Sequence, residues 1–498
     1  MADPRPGHHF PHPHLHRRPR ESGEWQPQPT LLFPDAVPLA DRALEITSDV
    51  TRADGAPDAE IAVSVDIGES SLTRFAGSAI HQNVTEDVAS VRITVSLGGR
   101  TASVSGAGDG PELLRRLATA ALEAARVQPA DPDWPGLAPA APAEPMEHVD
   151  AATATASPAA RAELVRAFLD AAAGLDCAGF CSSRGATTAF ANSSGQRLAD
   201  SVSFASLDGV ARSPLVSRPL DPDATSDSAT LADGSGRAAS IALGDLDGTA
   251  IGRLAARTAR AAAEAPVDID PGTWSVVLRP SAVADMLAFL AFYGLNSRAV
   301  TEGRSFAKPG TEQLDPWITL VCDPLDPRMP ALPFDAEGTP RSTFELVREG
   351  VTGELAADRR DARRAGTVSN GCAFAGGWAG GGIAPAVALH GGSLADDELL
   401  GGLGRALLVH DFWYTRVLDP RPLIVTGLTR NGLFVIEDGV VRRAARNVRF
   451  TQSYVDALAP GNVLGLGEAP ELLGDMSLSF LAPSLALRSW NVTGNARG

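Results

Sequence analysis

From Val88 to Leu97 apolar and polar residues alternate, with Val91, Ile93 and Val95 separated by Arg92 and Thr94. A period of two sends successive side chains to opposite faces, so this run reads as a half-buried strand. Glu60 to Ile67, Leu72 to Asn83 and Arg100 to Ser105 read as strands beside it, with Gly98-Gly99 as a hairpin turn. The period changes on either side. Leu39 to Thr51 reads as a helix, and a second opens at the Asp109 and Glu112 cap pair and runs to about Val127. Its Leu113, Leu114, Leu117, Ala121 and Leu122 make one apolar stripe. Residues 129–157, rich in Pro, Ala and Asp, read as a linker or extended crossing. A second unit follows: a helix from Pro158 to Ala173, short strands to about Val210, an irregular polar stretch to about Gly236, and a helix from Leu246 to Ala265. The two closing helices echo one another, residues 117–134 against 254–274, as a weak internal repeat would.

In the last part of the chain a strand, Trp274 to Leu278, leads into a helix opened by Pro280-Ser281. Met286, Leu287, Leu290 and Phe292 carry that helix to Gly294. Strand-like runs then dominate: Trp317 to Cys322, Phe344 to Arg348, Ala406 to Leu418, Leu423 to Leu428 and Leu433 to Glu437. Asn431-Gly432 reads as a hairpin turn, and Asp438-Gly439 as another before Val440-Val441. Residues 477–494 alternate as a terminal strand. The expected class is α+β. Residues 1–37 are a disordered tail, 38–128 an N-terminal α+β domain, 129–157 a linker, 158–266 a middle α+β domain and 267–498 a strand-rich C-terminal domain.

Composition narrows the partners. The 498 residues carry a formal charge of −17, with Lys308 the single lysine and no basic cluster beyond Arg17, Arg18 and Arg20. Nucleic acid and anionic membrane are therefore not expected as partners. No apolar run reaches the roughly 18–20 residues of a membrane span, and the basic N-terminus lacks the apolar core of a secretory signal. Four cysteines, Cys177, Cys181, Cys322 and Cys372, make no disulfide framework and fit a reducing, cytoplasmic setting.

Candidate chemistry is sparse. Outside the His-rich tail the histidines are His81, His148, His390 and His410, none at the spacing of a helical zinc pair. His8, His9, His12, His14 and His16 of the tail suit adventitious metal only. There is no nucleophile elbow and no phosphate-cradling glycine motif. Arg359 to Gly392, a basic run beside a Gly-rich one, reads as a lid or channel rim.

Three segments carry a resemblance: Thr273 to Phe306 (TWSVVLRPSAVADMLAFLAFYGLNSRAVTEGRSF), His410 to Gly439 (HDFWYTRVLDPRPLIVTGLTRNGLFVIEDG) and Arg74 to Asn83 (RFAGSAIHQN). Together they resemble the TldD/PmbA family from about Leu44 to the C-terminus. TldD-type subunits carry HExxxH on the helix before a GTSF-like tetrapeptide, here Gly303 to Phe306. In that register Ala288, Phe289 and Tyr293 replace the motif's His, Glu and His. The cysteine ligand of such subunits has no counterpart after Cys372. The chain thus resembles the PmbA, or TldE, type. The resemblance implies a metal-free partner of a TldD-type zinc-binding subunit, inactive alone, that helps enclose and bind peptides for proteolysis or peptide maturation. It implies no cofactor in this chain and zinc in the partner. Tyr293, Asn296, Arg298 and His410 are the candidate channel residues. Two other readings stand beside it: a stand-alone peptide-binding homodimer, or a hydrolase with an unrecognised site.

Overall fold

A computed structural model describes residue 25 and residues 31–146, 148–215, 231–375 and 380–496. Within it the chain repeats one arrangement twice, helix, three strands, helix. The first copy is α1 (Ala36–Ala53), β1 (Glu60–Ala76), β2 (Ala79–Leu97), β3 (Arg100–Ala107) and α2 (Pro111–Val127). After a short α3 (Ala151–Ala154), the second is α4 (Pro158–Ala171), β4 (Asp176–Asn192), β5 (Arg197–Pro214), β6 (Leu231–Ser240) and α5 (Gly248–Ala262). The sequence echo between residues 117–134 and 254–274 thus covers α2 and α5. The six strands form a single antiparallel sheet in the order β3-β2-β1-β4-β5-β6, with β1 pairing β4 at its centre. The segments expected as separate N-terminal and middle domains therefore share one sheet.

Alternation decides which face is covered. Ile61, Val63, Val65, Val91, Ile93 and Val95 are buried under α1 and α2. Phe75, Cys177, Cys181 and Leu207 pack with Phe168 under α4 and α5. The residues between them, among them Ser64, Arg92, Thr94, Ser206 and Asp208, form an opposite polar face turned toward the rest of the chain.

Several expectations are corrected. The break expected near residues 68–71 is absent, and β1 runs through to Ala76. The turn falls instead at Gly77-Ser78, both at positive φ (55° and 59°), the geometry of a tight hairpin. This splits the expected strand Leu72 to Asn83. The short strands expected up to Val210 are two long ones, β4 and β5, and part of the expected irregular stretch is β6. Residues 31–37 are not tail: Leu32 N donates to Ser201 Oγ (3.0 Å), Phe33 N to Thr187 Oγ1 (2.9 Å), and α1 starts at Ala36. The tail histidines lie outside the described residues. Of the two forms expected for residues 129–157, the segment takes the extended crossing, a strap laid on the sheet with Ala138, Met146 and His148 buried.

The C-terminal part comprises β7 (Gly272–Leu278), α6 (Pro280–Phe289), α7 (Ser297–Thr301), β8 (Thr319–Cys322), β9 (Phe344–Arg348), β10 (Val351–Thr352), α8 (Arg359–Ala365), β11 (Ala386–His390) and α9 (Asp396–Gly401). β12 (Arg405–Asp419), β13 (Ile424–Glu437), β14 (Val440–Ala444), β15 (Val448–Ser453), α10 (Tyr454–Ala457), β16 (Val463–Leu466), β17 (Glu471–Gly474), β18 (Ser479–Ala482) and β19 (Leu485–Asn495) complete it. β12, β7, β19, β15 and β13 pair in turn, and β13 pairs β12 again, which closes a five-stranded ring. A second sheet runs β10-β9-β8-β11-β18-β17. The expected single terminal strand is two, β18 and β19, one in each sheet, parted at Pro483-Ser484. The whole is α+β, as expected. Trp490 is buried against Phe412, Phe450 and Tyr454, with ring centroids 5.1–5.9 Å away.

Asn431-Gly432 is no hairpin turn. It lies inside β13, at φ 57° and 125°. Val409 pairs with Leu433 and Asp411 with Arg430, so two residues of β13 oppose the single His410. This is a bulge built on the same positive-φ preference that makes Asn-Gly turns. Asp438-Gly439, at φ 50° and 74°, is the turn expected.

The basic run expected as a lid is also corrected in part. It folds as α8, and its arginines grip the strap. Arg359 Nη2 donates to Leu137 O (3.1 Å) and Arg363 Nη1 to Trp134 O (2.6 Å). Arg360 pairs with Asp131 (2.6 Å) and Arg364 with Asp133 (3.1 Å).

A Cβ at Gly432 would stand 2.7 Å from Thr258 Cγ2 and 3.1 Å from a His410 ring carbon, at a φ that L residues avoid. Gly432→Ala is expected to lower unfolding stability by about 2–3 kcal/mol, from overpacking plus backbone strain. Gly461→Ala, at φ 82° with open space around it, is expected to lose only about 1 kcal/mol. Equal losses in denaturant unfolding of the two variants would contradict this account.

Candidate functional site

α6 follows directly on β7, and Arg279 N donates to Val409 O (2.9 Å), which sets where the helix begins. Pro280 occupies the first turn, where its missing N–H is no loss. One face, with Ala282, Val283, Met286 and Leu287, enters the C-terminal core. The other presents Ser281, Ala284, Asp285 and Ala288 to a cleft of about 300 Å³. The opposite wall is the open face of β4, β5 and β6, with Phe180, Asp208 and Arg237; Leu472 and Phe480 close one end. α6 finishes in one π turn, Leu290–Gly294, with Leu295 N donating to Leu290 O (2.7 Å). Such turns break the regular helix and often lie at functional sites.

Charge in the cleft centres on Arg237. Its Nη1 donates to Ser281 Oγ (2.6 Å), and it pairs with Asp208 and Asp411, both at 3.4 Å. Asp411 also accepts from Ser235 Oγ (2.6 Å) and Asn431 Nδ2 (2.7 Å). Burial alone would raise the Asp411 carboxyl. Arg237 and the donors from Ser235, Ser281 and Asn431 outweigh burial and hold it below the usual range. Burial, helped by Asp411, raises Asp208 against the pull of Arg237. On α6, burial pushes Asp285 up to about 6, although Thr415 Oγ1 (2.8 Å) and Tyr454 OH (3.3 Å) both donate to it.

The candidate residues do not converge. Ala288 lines the cleft. The Phe289 ring stacks on Tyr293 at 5.9 Å and meets Tyr454 edge-on at 5.9 Å. Asn296 faces no channel: it is 0% exposed, and its amide caps α7, accepting from Ala299 N (2.8 Å) and donating to Phe292 O (2.7 Å). Arg298 pairs with Asp361 (2.9 Å) and lines a different, larger cavity. His410, beside Phe434 (5.7 Å), is pushed down to about 4 by burial and by Arg279 and Arg257, against Asp411. It is therefore neutral at pH 7. Asp285, Arg237 and Asp411 were missed. Asp285 sits one helical turn before Phe289, and Asp411 follows His410, so the signal was adjacency to residues already singled out.

A peptidase zinc site is built from imidazole, thiolate and carboxylate ligands. Ala288, Phe289 and Tyr293 supply none of these. Among the described residues no three His, Cys, Asp or Glu side chains are grouped to hold a metal. The residues at the HExxxH positions thus do not fit zinc. Among the described residues no helix is long and apolar enough to cross a membrane.

Residues 271–494 match the family described as PmbA/TldA metallopeptidase C-terminal domain. Solved structures are similar over nearly the whole chain. TldE from Thermococcus kodakarensis aligns with a TM-score of 0.78 at 17% identity, covering 92% of this chain and 100% of its own. A candidate modulator of a DNA gyrase from Thermotoga maritima gives 0.76 at 17%, covering 90% and 99%. A candidate modulator of DNA gyrase from Bacteroides thetaiotaomicron gives 0.76 at 16%, covering 93% and 100%. At these identities the likeness is one of fold. No curated protein matches the sequence.

Asp285 gives a signed pH test. Its carboxyl ionises near 3.8 when unfolded and near 6 when folded. Between those values the unfolded chain has lost a proton that the folded chain keeps, so the native state loses stability as pH rises through this window. Asp285→Asn removes that loss. The Tm of the variant minus that of the wild type is expected to climb from pH 4 to 6 and then level off. A difference that stays flat across this range would show that the carboxyl titrates normally.

Proposed function

Through residues 271–494 this chain belongs to the PmbA/TldD family of metallopeptidase-related proteins, and from that membership we propose that it is the metal-free partner of a TldD-type zinc subunit. In a cytoplasmic assembly of the two, it helps enclose peptide substrates for cleavage. The observation that carries the reading is α6. The helix keeps its place at a cleft of about 300 Å³, yet Ala288, Phe289 and Tyr293 stand where the zinc-binding motif would be. The fold likeness to a protein named TldE supports it.

Peptide binding has a physical basis in β12. The strand pairs with β7 only from Ala406 to Val409, whereas its pairing with β13 continues to Asp419. Among the described residues the Phe412–Asp419 run thus keeps one free edge, which an extended peptide can join through main-chain hydrogen bonds. Thr415 of this run bonds Asp285 on α6, so the edge passes beside the cleft.

A stand-alone hydrolase is the second reading, favoured by Asp285, a cleft carboxyl that titrates near 6. One experiment separates them. The chain and a TldD-type subunit are purified apart and mixed, and hydrolysis of an unfolded peptide is followed with and without a zinc chelator. The chain alone is expected to be inactive. The mixture is expected to form a stable complex with chelator-sensitive activity that the zinc subunit alone does not match. Activity of the chain alone that survives both chelator and Asp285→Asn would end the partner reading and move the hydrolase site away from Asp285. Activity that survives chelator but not Asp285→Asn would favour the hydrolase. A homodimer that ignores the zinc subunit would favour a peptide-binding scaffold instead.

A further inference from the structure

A space larger than the α6 cleft lies elsewhere over the sheet. A cavity of about 470 Å³ lies over the first half of the sheet, between β1, β2 and β3 on one side and the strap, α7 and the start of α8 on the other. Its size is in the range of small-molecule sites, roughly 300–1,000 Å³.

Its polar lining carries donors without partners. Arg92 of β2 points into it without a hydrogen bond or ion pair among the described residues. The Thr101 hydroxyl is buried and unpartnered, and so is Arg359 Nε. Arg359 is fixed in place, because its Nη2 holds Leu137 O (3.1 Å). Leaving a buried donor unpaired costs about 1–3 kcal/mol, so such a set is built for an acceptor.

The carboxylates nearby do not fill that role. Asp361 holds Arg298 through Oδ1 (2.9 Å), and its unpartnered Oδ2 is not part of the cavity lining. Asp358 caps α8, accepting from Asp361 N (2.7 Å). Glu337 Oε2 accepts from Arg359 N (3.0 Å), and burial with Asp335 and Asp358 alongside pushes that carboxyl up to about 8, so it is mostly uncharged at pH 7. Arg92 and Arg359 therefore face carboxyls that are already hydrogen-bonded and that burial raises, in a chain whose net charge is −17. Phe190, Phe374 and Trp134 supply apolar wall, the Trp134 N–H being engaged by Glu60 (2.7 Å).

We propose that this cavity is a binding site for a small organic carboxylate with an apolar or aromatic body, its head group held by Arg92 and Arg359. Two guanidiniums suit a carboxylate head group, and the ring-lined wall suits a single aromatic or branched side chain. The same chemistry is offered by a free acid and by the C-terminal residue of a short peptide. The site does not depend on the partner-subunit reading.

The test uses the full chain near neutral pH, with calorimetric titration and thermal shift. The probes are 3-phenylpropionate, acetyl-Ala-Ala-Phe, the amide of that tripeptide, and inorganic phosphate. At least one carboxylate probe is expected to bind with a Kd below about 1 mM and to raise Tm by mass action. The amide and phosphate are expected to do neither. Arg92→Ala is expected to weaken binding at least about tenfold; Thr101→Val, which removes one donor with little change of shape, is expected to weaken it less. Should Arg92→Ala fold poorly, Arg92→Gln serves instead. Binding of the free acid but not the peptide would assign a metabolite, and the reverse a peptide terminus. The proposal fails if no carboxylate binds, if phosphate or the amide binds equally well, or if the Arg92 variant binds like the wild type.

Discussion

One buried carboxylate holds the two parts of this molecule in register. Taking an ionised Asp out of water costs several kcal/mol unless it is paired and hydrogen-bonded. Asp411 meets that demand with donors from three places: Ser235 and Arg237 on β6, Asn431 on β13, and Ser281 at the start of α6. The sheet, the ring and the helix are fixed to one another by it. The bulge at Asn431-Gly432 serves the same end, since it turns the Asn431 amide onto Asp411 and lets the β13 backbone pass close to Thr258 of α5. Because Arg237 is shared with Asp208 and Ser281, the width of the α6 cleft follows from this network. Far from it, the α8 arginines and the strap make a second joint.

Local pattern showed the parts of this fold that are decided locally. Val91, Ile93 and Val95 alternate because one face of β2 is covered and the other is not, and the stripe on α2 exists for the same reason. Where two structures satisfy one local preference, the sequence was silent. Asn431-Gly432 accepts positive φ at both residues, and a hairpin turn and a strand bulge both require that. The choice was made by Asp411, twenty residues away in sequence. Gly77-Ser78 was hidden for a different reason: apolar residues stand close on either side, Phe75 and Ala76 before it and Ala79 and Ile80 after it, so the turn lies inside what reads as one apolar run. The strap read as a linker because its contacts, Glu60 to Trp134 and the α8 arginines to residues 131–137, join residues far apart in sequence.

The candidate site was legible as an absence more than as a set of groups. Register against Gly303 to Phe306 placed Ala288, Phe289 and Tyr293 on α6, and Ala288 does face the cleft. Spacing could not show that Asn296 turns inward, because a cap and a channel residue look alike until the next helix is known. Nor could it show that Arg298 belongs to another cavity, since Asp361, which directs it there, lies on α8. Asp285 was passed over because an Asp on a helix is ordinarily solvated; Thr415 and Tyr454 come from β12 and α10 to bury it.

The repeat explains why a cavity lies over each half of the sheet. Each copy of helix, three strands and helix puts its apolar face under its own helices and its polar face outward, so joining the copies through β1 and β4 gives one continuous polar floor with two equivalent halves. A C-terminal part laid across that floor must cover both. Over β4, β5 and β6 the cover is α6, which brings Asp285 to a narrow cleft. Over β1, β2 and β3 it is the start of α8 with the residues before and after it, which supplies arginine. The floors are alike in architecture and the roofs differ in charge. A division of labour between the two halves then needs no new fold, only different side chains on the covering segments.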